Sequence, residues 1–407
     1  MSNMIVMNTS SLGQLKDVPA SLKIAGLALL RAKSGRLELE LPDGRRLLFD
    51  QGQPGPEALF RIHNYAVLNR TAAGGDIGAA ESYMDGDWST DDLTAVLEYF
   101  SENFEAAGRL AIGGALTRLT NMIRHMFNRN TRKGARRNIL AHYDLGNAFY
   151  ETWLDPSMTY SSAIFDSPNT SLEHGQEAKY AAIADALKLE KGSRVLEIGC
   201  GWGGFAEYAA KRRGAKVTCL TISDAQKAYA ESRMARQDIA DQVDIRLQDY
   251  RDHRGEYDAV ASIEMFEAVG ERYWPSYFGK IQSVLRAGGL AALQIITIRD
   301  DLFERYRKRA DFIQRYIFPG GMLPSDAALQ DQVRRAGLRY QGARLFGDDY
   351  ARTLNLWRRR FNEAWDDIAQ LGFDEPFKRL WNFYLAYCEA GFKAGRINVG
   401  QFSLAKP

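Results

Sequence analysis

Between residues 190 and 298, short apolar runs alternate with segments of helical period. The runs are SRVLEIGCG, AKVTCLTIS, VDIRLQD, YDAVASIEM and GLAALQIITI; helices begin at Phe205 and Ala225, and a third separates the last two runs. Continuous apolar runs of strand length suit strands buried on both faces, and their alternation with helices predicts a parallel sheet covered on both sides. Nearer the start, RLELELPDGRRLLF at 36–49 sets Leu37, Leu39 and Leu41 at period two ahead of Asp43 and Gly44. That pattern predicts a β-hairpin with one buried face. Asp91 and Asp92 lead into LTAVLEYF, which reads as a helix with an acidic first turn. The expected organisation is a small N-terminal α/β domain over 1–108, a linker over 109–140 and a larger domain over 141–407.

The linker stands apart. From 106 to 143 there is no Asp or Glu, while Arg109, Arg118, Arg124, Arg129, Arg132, Lys133, Arg136 and Arg137 accumulate. Ile112, Leu116, Leu119, Ile123 and Met126 form one stripe of an α-helix. A basic amphipathic helix suits an anionic membrane surface; an interdomain helix with solvated arginines has the same pattern, and both readings stay open.

Elsewhere charge is balanced, with 53 Lys and Arg against 51 Asp and Glu in 407 residues, so bulk nucleic-acid binding is excluded as a first reading. Apolar residues make up 45% of the chain, enough for full-sized cores. No run reaches the roughly 18 to 20 apolar residues of a membrane span, and MSNMIVMNTSSLGQL lacks the layout of a secretory leader. The expected location is therefore cytoplasmic, at the inner face of the membrane if the basic helix binds it. Cys200, Cys219 and Cys388 lack metal-ligand spacing and the five histidines are scattered, so no metal is expected.

EIGCGWGG at 197–204 follows an apolar strand and opens a helix, placing Gly199, Gly201 and Gly203 where a ligand can approach backbone at the sheet's carboxyl edge. A dinucleotide fold would carry an acidic residue about 20 positions on. This chain has Thr221 and Ser223 there, followed by Gln226. The missing carboxylate, together with Glu197 two residues before the first glycine, favours S-adenosylmethionine (SAM) over NAD. Asp249, after the third strand, is placed either to accept from an adenine amine or to cap the strand end.

Further motifs keep order and spacing with this loop. They are HYDLGN at 142–147, LDP at 154–156, TYS at 159–161, Phe266-Glu267, FPGG at 318–321, and Tyr350 with Thr353 and Leu354; YMDGDW lies earlier at 83–88. Together they resemble the cyclopropane fatty acid synthase family, which includes the mycolic acid cyclopropane synthases. The resemblance implies a class I SAM-methyltransferase fold, an α/β Rossmann-like doubly wound sheet, for the catalytic domain at 141–407. It also implies a phospholipid acyl chain with a cis double bond as substrate, a bilayer as partner, and leaves a homodimer open. By position, Glu197, Gly199, Gly201, Thr221, Ser223, Gln226, Tyr160 and Ser161 are expected at the cofactor, and Tyr143, Glu267 and Tyr350 at the methyl-transfer site.

Methyl transfer to an alkene needs no base before attack, but it leaves a carbocation, which aromatic faces stabilise and from which a proton must then be lost. In the family that proton is thought to go to a bicarbonate held by a Cys, a Glu, a His, a Tyr and backbone. Here Ser162 stands at the Cys of TYSC, Gln294 at the His of LHTI, and Ala268 at the His of FEH. Serine and glutamine donate hydrogen bonds, but an amide cannot become a cation. Bicarbonate binding is expected to be weakened, and the product to be a methyl-branched unsaturated chain in place of, or beside, a cyclopropane. DDLFERYRKRADFIQR at 300–315 is expected either to cover an acyl tunnel or to pack as a helix, and Trp381, Phe383, Tyr384, Tyr387 and Phe392 to be helix core.

Overall fold

The computed structural model of the protein describes residues 4–103 and 145–407. The basic stretch, the expected linker 109–140 and Tyr143 lie outside the described residues. Two compact units divide the rest: 4–103 with 309–312 and 372–394, and 145–308 with 313–371 and 395–407.

In the first unit the strands β1 (Met4–Val6), β2 (Arg36–Glu40), β3 (Arg46–Asp50), β4 (Glu57–Ile62) and β5 (Trp88–Ser89) form one sheet in the order β1-β3-β2-β4-β5. The hairpin forms where alternation places it: β2 and β3 pair antiparallel, and Leu37, Leu39 and Leu41 are buried. Gly44 takes the positive φ of 83° that the turn requires. The expected helix forms over Leu93–Glu102, but its first turn holds no acidic residue: Asp92 lies just before it as the N-cap, its carboxylate accepting from Ala95 N at 3.1 Å. The YMDGDW motif serves packing within this unit. Trp88 stacks on Phe60 at 4.4 Å between ring centroids, and Asp87 accepts from Ser82 Oγ at 2.6 Å. The aromatic C-terminal helix, Glu375–Lys393, belongs to this unit and buries Trp381, Phe383, Tyr384 and Phe392.

The second unit holds β6 (Arg194–Ile198), β7 (Lys216–Thr221), β8 (Val243–Leu247), β9 (Tyr257–Ile263), β10 (Leu285–Ile298), β11 (Arg339–Leu345) and β12 (Ile397–Ala405), ordered β11-β12-β10-β9-β6-β7-β8. The five runs read as strands are the parallel part. Successive residues face opposite layers: Leu196 and Leu220 join a core with the helix Trp274–Val284, while Val195 and Cys219 join one with the helices Leu172–Ala186, Gly204–Arg213 and Asp224–Arg236. Each buried aliphatic side chain contributes roughly 1.5 to 3 kcal/mol, so two filled faces hold the sheet edge rigid beneath a site.

Two features depart from the sequence pattern. β12 inserts antiparallel between β10 and β11, so the sheet is mixed. RYQGARL is a partly exposed edge strand without an apolar run, and Gly400 interrupts INVGQFSLA, which is why neither stands out by periodicity. The DDLFERYRKRADFIQR segment at 300–315 forms an α-helix over Asp300–Tyr306, where Leu302 and Phe303 are buried in the core as the packing alternative expects, and enters a π-helix over Ile313–Ile317.

Candidate active site

The glycine loop links β6 to the helix Gly204–Arg213 with positive φ at Gly199, Gly201 and Gly203. Its glycines do different work. A Cβ on Gly203 would press on Met234 and Ala230, one on Gly204 would collide with Tyr180 Oη, and one on Gly199 would meet Met265 at 2.5 Å. At Gly201 a Cβ would meet nothing within 4 Å among the described residues, so this is where the loop is open to a ligand. Glu197 is buried beneath the loop and accepts from Cys219 Sγ at 3.5 Å; burial pushes its carboxyl up to about 8, an environment that a bound cation would relieve.

After β7, Ser223 caps the helix Asp224–Arg236 by accepting from Gln226 N at 3.3 Å. Thr221 Oγ1 donates to Gln226 Oε1 at 3.0 Å. The expected hydroxyls and amide thus lie together at the next strand end, fixed among themselves. Asp249 follows β8, caps a short turn and pairs with Arg251, with contacts of 2.9 and 2.5 Å. A buried carboxylate under an open glycine, with hydroxyl groups at the neighbouring strand end, suits a ligand carrying a sulfonium, an amino group and a ribose. These residues fit SAM.

The TYSS segment lies against this edge. Arg233 binds Ser157 O at 2.7 Å and Trp202 O at 3.4 Å, tying the LDP turn to the glycine loop. Trp202 Nε1 also donates to Asn147 Oδ1 at 2.9 Å, which gives the end of HYDLGN its role. From Trp202 an aromatic wall runs through Tyr150 (5.1 Å between centroids), Tyr160 (5.4 Å) and Trp357 (5.2 Å) to Tyr350 (6.1 Å). It joins the open glycine loop to a cluster of buried polar side chains.

At the centre of that cluster is Glu264, a residue sequence reasoning passed over. It is the first residue beyond β9, with a φ of +48°, unusual for a side chain with a Cβ. Glu264 Oε1 accepts from Ser162 N at 2.9 Å and from Gln294 Nε2 at 2.7 Å, and Oε2 accepts from Tyr350 Oη at 2.5 Å. Gln294 is held in turn by Gln401 Nε2, which donates to its Oε1 at 3.1 Å across the β10–β12 register. Burial pushes Glu264 up, and the bonds from Tyr350 and Gln294 and the charge of Lys179 pull against it. Lys179 is fully buried, donates to Ser161 Oγ at 2.6 Å, and is brought down to about 7 by burial.

Glu267 lies one turn beyond, on the short helix Phe266–Ala268. Its Oε1 accepts from Ile296 N at 2.6 Å, while its buried Oε2 has no hydrogen-bond partner among the described residues. Burial first and the neighbouring Glu264 charge second push it up to about 8, so it is mostly protonated at neutral pH. The end of FPGG braces it: Met322 N, the next residue, donates to Glu267 O at 2.8 Å, and Gln314 Nε2 donates to Gly321 O at 2.8 Å. The helix Gly347–Glu363 places Tyr350 and Thr353 one turn apart on one face, Thr353 Oγ1 accepting from Ala163 N at 3.1 Å.

The structure therefore brings Glu267, Tyr350, Ser162 and Gln294 together, but the Ser162 hydroxyl donates to Ala163 O at 2.9 Å and it is the backbone N–H that serves the cluster. Glu264, Lys179, Gln401 and Thr353 are additions. For Glu264 the available signal was a second carboxylate three residues before Glu267, directly after an apolar strand.

The model of the mycolic acid cyclopropane synthetase family matches residues 130–402. The tuberculostearic acid methyltransferase UfaA1 of Mycobacterium tuberculosis is 40% identical over 395 residues, covering 95% of this chain and 92% of that protein. The cyclopropane-fatty-acyl-phospholipid synthase of Escherichia coli K12 is 36% identical over 350 residues, 84% of this chain and 86% of that one. Among solved structures, the mycolic acid cyclopropane synthase CmaA1 complexed with SAH and CTAB is similar with a TM-score of 0.63 at 29% identity, covering 67% of this chain and 98% of that chain.

Proposed function

The chain belongs to the mycolic acid cyclopropane synthetase family of SAM-dependent methyltransferases of fatty acyl lipids, and we propose that it methylates the double bond of an unsaturated phospholipid acyl chain to give a methyl-branched unsaturated product. The single observation that carries the branched product is Gln294. A neutral amide, locked between Gln401 and Glu264, stands where the resemblance implies an imidazole, so this position supplies no cation to an anion cage.

Bound SAM supplies an electrophilic methyl group on sulfur. The open backbone at Gly201, with Glu197, Thr221, Ser223 and Gln226, would hold it, and Tyr160 and Trp202 would shield it from water. Tyr350, Trp357 and Tyr160 present aromatic faces that each lower a nearby carbocation by something like 0.5 to 2 kcal/mol. The cation is resolved by proton loss. Loss from a chain carbon gives the branched olefin, and loss from the new methyl group closes a cyclopropane ring.

We further read the basic stretch 106–137 as the element that brings the enzyme to anionic membrane. Among the described residues no helix is long and apolar enough to cross a membrane. The experiment is mass spectrometry of lipids after incubation with methyl-deuterated SAM and unsaturated phospholipid vesicles. Three retained deuterons in an unsaturated branched chain is the expected result; a ring carrying two deuterons would return the protein to an ordinary cyclopropane synthase.

A further inference from the structure

The bicarbonate that the family resemblance implies does not fit this cluster. Ser162 and Gln294, which stand where the resemblance implies ligands of that anion, place Ser162 N and Gln294 Nε2 on one carboxylate of the chain itself, and Tyr350 Oη of the methyl-transfer site donates to the same group. A second anion there would find those donors engaged and would face the Glu264 carboxylate itself, at the cost of like-charge repulsion. We propose that Glu264 is the proton acceptor of the reaction and replaces an external anion.

The inference rests on the C-methylation reading above. The π electrons of the double bond form a carbon–carbon bond to the methyl carbon as the sulfur–methyl bond breaks, leaving neutral thioether and a cation on the adjacent chain carbon. A C–H bond beside the cation then breaks, its electron pair forms the new double bond, and the proton passes to Glu264, which becomes a neutral acid and later returns the proton to solvent. The geometry suits this transfer. An ionised carboxylate has about four acceptor sites, and the three donors occupy three, leaving one on Oε2. Those donors also hold the group against rotation, and the aromatic wall ends at Tyr350, the residue that holds Oε2. Glu267 is the poorer acceptor of the pair because, being mostly protonated at neutral pH, it has no charge to neutralise.

The left-handed backbone at Glu264 favours glycine, so Glu264→Gly removes the carboxylate without straining the chain and frees the donors. Parent, Glu264→Gln and Glu264→Gly are compared on dioleoyl phosphatidylglycerol vesicles with SAM, in carbon-dioxide-stripped buffer with and without bicarbonate, after calorimetry confirms equal SAM affinity. The parent rate is expected to be independent of bicarbonate. Glu264→Gln should lose about 100-fold or more in turnover, and Glu264→Gly should lose as much and regain activity when bicarbonate is added. The NMR signal of isotope-labelled bicarbonate should be broadened by Glu264→Gly and not by the parent. A parent strongly stimulated by bicarbonate, or Glu264→Gln at full speed, overturns the inference while leaving lipid methylation intact. A parent that methylates no lipid overturns the proposed function, and this inference with it.

Discussion

Two carboxylates three residues apart, Glu264 and Glu267, share one turn and have opposite surroundings. Among the described residues Glu264 receives three hydrogen bonds, and Glu267 has one oxygen bonded and the other buried without a partner. That contrast has a thermodynamic signature in the protein without ligand. Because Glu267 is raised from 4.5 to about 8, the folded state holds a proton that the unfolded chain loses in that interval. Its contribution to stability is complete below the unfolded value and is lost as pH rises through about 8. Glu267→Gln removes the titration, so its stability relative to the parent should improve between about pH 5 and about pH 8 by more than about 1 kcal/mol. Parallel unfolding curves for the two proteins at both pH values would contradict this. Gly201→Val tests the other end of the site. A β-branched residue at φ +52° is strained, and its side chain would fill the one open position of the loop. Circular dichroism should show the fold retained, and calorimetry should show SAM affinity reduced about ten-fold or more. Undiminished affinity would remove Gly201 from the cofactor site.

At the scale of elements, the antiparallel β12 matters because it supplies Gln401, whose Nε2 spans Gln294 Oε1 and Lys179 O at 3.1 and 3.2 Å. Gln401→Leu would leave Gln294 Oε1 buried without this donor, at a cost of about 1 to 3 kcal/mol, and free the amide to turn away from Glu264. The expected outcome is a lower kcat with SAM affinity unchanged, measured by turnover and calorimetry; a kcat equal to that of the parent would show that Gln294 keeps its orientation without β12. A helix-level control lies in the first unit. Asp92→Ala removes the cap of Leu93–Glu102 and should lower stability by about 1 kcal/mol without altering SAM affinity.

For the whole molecule, near-zero net charge hides the asymmetry of one basic stretch. Each Lys or Arg near an anionic surface contributes roughly 1 kcal/mol, so a cluster of four outweighs the balanced remainder. Replacing Arg132, Lys133, Arg136 and Arg137 by Gln should weaken binding to anionic vesicles and flatten its salt dependence in a sedimentation assay. Equal binding of variant and parent to anionic and neutral vesicles would refute the membrane reading.

Features that depend on neighbours close in the chain were legible from the sequence alone. Period-two leucines and a turn dipeptide specify the hairpin. Apolar runs alternating with helical segments specify the parallel strands and both cores, and Asp92 caps the helix it precedes. The glycine loop was legible as a ligand site, but its inner division was not, because only packing against Met265, Ala230, Met234 and Tyr180 makes Gly199, Gly203 and Gly204 structural while Gly201 stays open. The polar cluster was decided by tertiary structure. Its bonds join Glu264 to Ser162 and Tyr350, and Gln294 to Gln401, across separations of 86 to 107 residues, and no local periodicity encodes such pairings. The left-handed turn at Glu264 follows from the same cause: a strained backbone persists only where several distant donors hold the side chain in place.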